Sequence, residues 1–204
     1  RFAKTGVNIV RLHQLDCYYS APSIFQFSKG PLLKTTRQLD PKSLERMDYL
    51  IYCLKNEGIY IYMDNIVLRK FKAGDGVEHA EELFDGAKPY GIFDETLIEL
   101  QKEFCTQLWN HVNPYTGLAY CDDPCVAMCE ISNENDLFVN SDAVGRFYTR
   151  SAYYENDFRQ QFKAWLEEQG IEYDWENCDL YTQDDPMVNF KVWRTSKYYN
   201  EMRD

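Results

Sequence analysis

The feature that most constrains this chain is the recurrence of short, nearly continuous apolar runs, each followed by a loop and then by helical periodicity. Residues 7–12 (VNIVRL), 59–63 (IYIYM) and 126–131 (VAMCEI) have the length and the β-branched or aromatic content of buried strands. Between the first two, Asp40-Pro41 supplies an N-cap and a first-turn proline, and Leu44, Met47, Leu50, Ile51 and Leu54 follow at helical spacing until Asn56-Glu57-Gly58. After the second run comes a loop of about 28 residues, far longer than a usual βα connection. Asp94 then caps a helix with Leu97, Leu100, Phe104, Leu108 and Val112 as one stripe, and Asn113-Pro114-Tyr115-Thr116-Gly117 turns the chain. Beyond the third run, Phe158, Phe162, Trp165 and Leu166 mark a helix stopping at Gly170. Asp185-Pro186 opens another, with Met187, Phe190 and Trp193 on one side.

Strands alternating with helices, and apolar on both faces, imply a parallel sheet covered by helices. A doubly wound sheet would carry a glycine-rich phosphate turn, and neither G-x-G-x-x-G nor a P-loop lysine motif occurs. A (β/α)8 barrel places its chemistry on the loops after the strands, and here those loops are the long, polar and aromatic ones. The expected fold class is therefore α/β, a partial (β/α)8 TIM barrel of approximately strands 2 to 4 with their helices. A whole barrel commonly takes about 250 residues. The chain starts without Met in a pattern that reads as helix and stops at Asp204 in another without a cap, so residues 1–204 read as a fragment of one barrel lacking its N- and C-terminal parts. A fragment carries no information about a leader peptide, so the sequence assigns no compartment.

Composition removes several classes of partner. Lys+Arg 22 against Asp+Glu 33 gives a net charge of −11, a surface that repels nucleic-acid phosphates and anionic membranes. No apolar run approaches the roughly 20 residues needed to span a bilayer. The seven cysteines show no C-x-x-C spacing and argue against a disulfide framework. Cys121, Cys125 and Cys129 recur every fourth residue, but Asp122-Asp123-Pro124 breaks the helix that would gather them, and His13, His79 and His111 are scattered. They read as free thiols used as small hydrophobes, so no metal is expected.

Chemistry concentrates where strands end. Glu134, flanked by Asn133 and Asn135, directly follows the third strand, where barrel enzymes place catalytic groups. A carboxyl partly desolvated at that mouth would hold a proton for donation to a leaving oxygen. Asn133 could hold a substrate hydroxyl by two complementary hydrogen bonds. Capping of the following segment is the alternative for this Asn-Glu-Asn run. Arg11, near the end of the first strand, is costly to bury without carboxylate partners and so implies an acid nearby, with His13 on the same side. Glu130 shares a face with Ser132 and Glu134, lining the interior or pairing with Arg11. Tyr18, Tyr19, Phe25, Phe27 and Phe138 lie on loops and suit sugar faces. Trp109, Trp165 and Trp193 read as core, and Arg69-Lys70-Phe71-Lys72 as a solvated loop.

Together, Asn8-Ile9-Val10-Arg11-Leu12-His13, the stretch 44–64 ending GIYIYMD, and the stretch 97–135 ending in Asn133-Glu134-Asn135 resemble the cellulase-like glycoside hydrolases of the retaining (β/α)8 clan, close to glycoside hydrolase family 5. The resemblance covers nearly the whole chain to about Asp136 and thins afterwards. It implies a glycosidase acting on a poly- or oligosaccharide without cofactor. Glu134 would be the general acid/base, Asn133 the residue on the sugar 2-hydroxyl, Arg11 the residue orienting the nucleophile, and His13 a neighbour of the sugar. Where related sequences carry a His just after strand three, this one reads Asp64-Asn65-Ile66. The clan's nucleophile, a Glu after the seventh strand, would lie outside this chain. The alternative is a barrel that binds carbohydrate without catalysis, having lost that nucleophile.

Overall fold

The computed structural model describes residues 1–28, 33–83, 87–138 and 151–203. Three strands, β1 (Ile9–Leu12), β2 (Tyr60–Ile66) and β3 (Val126–Ser132), form one parallel sheet in the order β1-β2-β3. Arg11 pairs with Tyr62, and Asp64 with Glu130. Ile61 faces Val126 but Tyr62 faces Met128, so β3 accommodates one extra residue there.

The helices begin where the capping signals place them. Asp40 accepts the Ser43 N–H at 2.9 Å to open α1 (Pro41–Asn56), and Asp94 accepts the Leu97 N–H at 2.8 Å to open α2 (Glu95–Trp109). α3 (Ala152–Gln169) starts at Ser151 and ends at Gly170, whose φ of 68° suits the left-handed cap. α4 covers Asp185–Arg203. Among the described residues no helix is long and apolar enough to cross a membrane.

Met47, Ile51 and Leu54 of α1 and Phe104 and Leu108 of α2 pack on the same side of the sheet, against Ile61 and Met63. The opposite face, carrying Arg11, Tyr60, Tyr62, Met128 and Glu130, has no helix over it among the described residues and leaves Tyr60 and Met128 about half exposed. A doubly wound sheet has helices on both faces. Sequential parallel order with both crossover helices on one face is the arrangement of a partial (β/α)8 barrel, whose inner face is the open one.

The structure corrects several boundaries and burial expectations. β1 starts at Ile9 rather than residue 7. β2 runs on through Asp64-Asn65-Ile66, because the Asn133 N–H bonds the Ile66 carbonyl at 2.9 Å and the polar side chains find partners. Val112 lies outside α2 and is exposed, and Trp193 is also exposed. The long loop is not irregular. It contains 3-10 turns at Ala73–Asp75, Ala80–Glu82 and Tyr90–Ile92, and its Phe71, Tyr90 and Phe93 build a second core with Phe158, Phe162 and Phe190 of α3 and α4.

Arg69-Lys70-Phe71-Lys72 is the clearest reversal, since Arg69 and Phe71 are buried. The Arg69 guanidinium donates to Thr36 Oγ1 at 3.0 Å, to the Thr36 carbonyl at 3.1 Å and to the Leu100 carbonyl at 2.7 Å. It stacks 4.6 Å from the centre of the Phe71 ring and 5.2 Å from that of Phe25. Burial lowers its pKa to about 10, which still leaves it charged. Phe25 is thereby core rather than a sugar-facing ring. The seven cysteines are free thiols, and Cys121, Cys125 and Cys129 share no helix.

Candidate active site

At the C-terminal ends of the three strands, one guanidinium draws the site together. Arg11 Nε lies 3.0 Å from both carboxylate oxygens of Asp64, and Nη2 donates to Glu130 Oε2 and, at 3.0 Å, to Asn133 Oδ1. Its plane lies over the Tyr62 ring, 5.0 Å from the centroid. Arg11 therefore bridges β1, β2 and the turn after β3. Hydrogen bonding to Asp64, ahead of the attraction of Asp64 and Glu130, raises its pKa further above an already basic value. Two acids lie beside Arg11, but Arg11 itself is exposed, contrary to the expectation that it is buried, and Glu130 lies on the open face of the sheet, where it pairs with Arg11.

His13 lies just past the end of β1, and its Nδ1 donates to Asp64 Oδ2, which places His13 and Arg11 on one fully buried carboxylate. That bond directs Nε2 away from Asp64, leaving this ring nitrogen as the one that can face a ligand. Glu130 also accepts the Tyr62 hydroxyl at 3.3 Å. Burial, followed by the Glu130 charge, pushes the Tyr62 phenol up.

The Asn133 carbonyl oxygen accepts one bond from Arg11, which uses one of its two lone pairs. Its NH2 and the second lone pair of that oxygen remain, oriented by the same contact. Glu134 follows in the turn with φ 47°, a left-handed conformation that costs a non-glycine residue roughly 1–2 kcal/mol. Such strain is found where a side chain is aimed by its backbone. Contrary to the sequence expectation, Glu134 is exposed rather than partly desolvated. Lys88, half-buried on the loop before α2, feels the charges of Glu134, Asp16 and Glu130, although burial outweighs them and lowers its pKa.

Two buried polar contacts hold this rim. The Asp16 carboxylate accepts the backbone N–H groups of Val67 at 2.9 Å and Arg69 at 3.0 Å, tying the loop after β1 to the loop after β2. Burial nevertheless pushes Asp16 up, the N–H bonds opposing it. Asn65 accepts Trp109 Nε1–H at 3.0 Å and so fixes the end of β2 to α2.

The sequence marks Asp64 only as a departure from related sequences and does not single out Tyr62, Asp16 or Lys88. For Asp64 a signal existed, since a carboxylate ending an apolar run is the natural partner for the arginine demanded by the neighbouring strand. For Lys88 there was none. Of the loop aromatics, Tyr18, Tyr19 and Phe138 are exposed, and Phe27 lies under Lys42 and Arg46. Among the described residues, potential metal ligands converge at the exposed His79, Glu81 and Glu82, and the site's own carboxylates Asp64 and Glu130 are paired to Arg11.

No family model and no curated protein matches this sequence. Among solved structures, the chain is similar to an endo-1,4-beta-D-mannanase from Thermotoga petrophila, at 20% identity and a TM-score of 0.46 over 80% of this chain and 45% of that one. A second structure of the endo-beta-1,4-mannanase from Thermotoga petrophila aligns at 20% identity and 0.45, over 80% of this chain and 35% of the other. A glycoside hydrolase family 5 mannosidase from Rhizomucor miehei, in complex with mannosyl-fructose, aligns at 16% identity and 0.44, over 100% of this chain and 59% of its own. The chain thus spans less than two thirds of the length of each.

Proposed function

We propose that this chain is the strand-two to strand-four segment of the catalytic barrel of a retaining glycoside hydrolase, cleaving O-glycosidic bonds of a poly- or oligosaccharide. The observation that carries the reading is the bond from Arg11 to Asn133, which brings the Arg-x-His strand and the Asn-Glu turn to one mouth, as the resemblance requires. Glu134 protonates the glycosidic oxygen while a second carboxylate, outside residues 1–204 and roughly 5–5.5 Å away, attacks the anomeric carbon. Glu134 then takes a proton from water as the water oxygen bonds to the anomeric carbon and the bond to the second carboxylate breaks, which frees the sugar from the enzyme.

The remaining residues orient and neutralise. Arg11, already fixed by Asp64, Glu130 and the Tyr62 ring, needs no reorganisation to place positive charge beside the attacking carboxylate. The Asn133 NH2 donates to the sugar 2-hydroxyl, and His13 Nε2 faces a second hydroxyl. No cofactor is needed. The test is Glu134→Gln in the protein encoded by the parent reading frame, assayed on β-linked mannans, glucans and aryl glycosides. General acid/base assistance is worth about 10² to 10⁴, so turnover of unactivated glycosides should fall by that range and that of activated aryl glycosides by less. Wild-type turnover in the variant would remove Glu134 from the chemistry, and a parent protein that binds these glycans without cleaving them would favour the binding barrel.

A further inference from the structure

Beside the candidate site, on the helix side of His13, a cleft of about 290 Å³ opens between the loop after β1 and the first half of α1. That volume is near the lower bound for small-molecule pockets, ~300 Å³, and suits one sugar-sized ring rather than a chain. Leu12, Leu15, Ile24 and Met47 supply apolar wall, and hydroxyl and amide groups are interleaved with them. In a molecule of net charge −11, no carboxylate among the described residues lines this cleft, while Arg46 does. Arg46 is held above the Phe27 ring, 5.4 Å from its centroid, which orders an otherwise flexible side chain at the rim.

Ser43 belongs to the same wall. It is 6% exposed, and its hydroxyl has no hydrogen-bond partner, which leaves a buried donor and acceptor unsatisfied. The neighbouring Ser43 N–H is taken by the Asp40 cap, so the free group here is the side chain and not the helix end. His13 lines the cleft with one part of its ring environment while its Nδ1 is bound to Asp64, and it thereby joins the cleft to the mouth.

We propose that this cleft is a binding pocket for a single carboxylated monosaccharide ring, a hexuronate, whose carboxylate is taken by Arg46 and one of whose hydroxyls by Ser43. The apolar wall receives the C–H face of the ring, and the guanidinium matches a carboxylate in geometry as well as charge. The long-range field of the chain disfavours polyanions, but a lone carboxylate meets Arg46 at the rim, while Asp40 and Asp64 behind the lining are engaged by the Ser43 N–H and His13. The choice of a sugar rests on the glycosidase reading; it deepens that reading by adding an acidic substituent to the glycan.

The experiment is an amide-resolved TROSY NMR titration of the protein encoded by the parent reading frame with sodium D-glucuronate, D-glucose and sodium acetate, read separately from any hydrolysis assay. Glucuronate should shift amides of residues 12–24 and 43–50 saturably, with glucose at least about tenfold weaker and acetate without effect. Arg46→Gln should abolish the preference for glucuronate, Arg46→Lys should retain part of it, and Ser43→Ala should weaken both sugars, each variant keeping a dispersed spectrum. Equal binding of glucose, binding of acetate at the same amides, an unchanged preference in Arg46→Gln, or no shifts in the cleft would each overturn the proposal. Shifts without turnover in the parent protein would leave the pocket standing and remove only the hydrolase reading.

Discussion

Replacing Asp157 by Asn should stabilise the chain at neutral pH and leave it unchanged in acid. Asp157 sits on α3 with its Oδ2 accepting Gln161 Nε2–H at 2.9 Å, and the same amide donates to the Phe93 carbonyl at 2.9 Å. Burial, followed by the charge of Asp94, pushes the Asp157 carboxyl from an ordinary 3.8 up to about 6; Glu95 adds to the rise, and Gln161 and Arg194 oppose it. The folded state thus holds this proton more tightly than the unfolded state. Stability from this group falls as pH rises from about 4 through about 6, and the whole penalty is present above that. A difference of about two pK units corresponds to at most ~3 kcal/mol. The carboxylate is only partly buried, so solvent screening reduces this to about 1–2 kcal/mol. Asn keeps the shape and an acceptor oxygen for Gln161 but carries no charge at any pH. Urea denaturation of both proteins at pH 4 and pH 7.5 should give matching free energies in acid and a gap of that size at pH 7.5. In thermal melts the gap is roughly 2–4 °C per kcal/mol for a chain of this length. Parallel stability curves across that range would show that Asp157 titrates alike in both states and refute the argument.

Three further outcomes follow from the same structure. Asp64→Asn in the active parent protein should lower kcat/KM at least about tenfold, because Arg11 and His13 lose their shared anchor, and far-UV circular dichroism should stay native. Arg69→Ala should cost about 3–5 kcal/mol in chemical denaturation, since it empties a site between Phe25 and Phe71 and leaves the Thr36 and Leu100 carbonyls without their donor. The 204-residue chain on its own should release no reducing sugar and should self-associate in sedimentation, because β1 and β3 each pair on one side only among the described strands; a monomer whose hydrolysis disappears with Glu134→Gln would place a complete site within it.

Local signals determined much of this architecture before any contact was known. Asp40-Pro41, Asp94 and Gly170 act within one helical turn, so the ends they set are legible from a few neighbouring letters. The three apolar runs, their order and the position of Asn133-Glu134 just after the third are equally local. An arginine in an apolar strand suggested a nearby acid on the expectation that it is buried; Arg11 is in fact exposed, so its acids are matched by charge and not imposed by a burial cost. Only tertiary structure decided which acids these are. Asp64 and Glu130 lie 53 and 119 residues from Arg11 and meet it through strand register, a property of the assembled sheet. The same holds for Arg69, which sits in a basic run that resembles solvated surface until Phe25, Phe71 and Phe104 close around it. Whether a polar side chain faces water or a partner depends on what the rest of the chain brings beside it, and that information is carried by contacts distant in sequence.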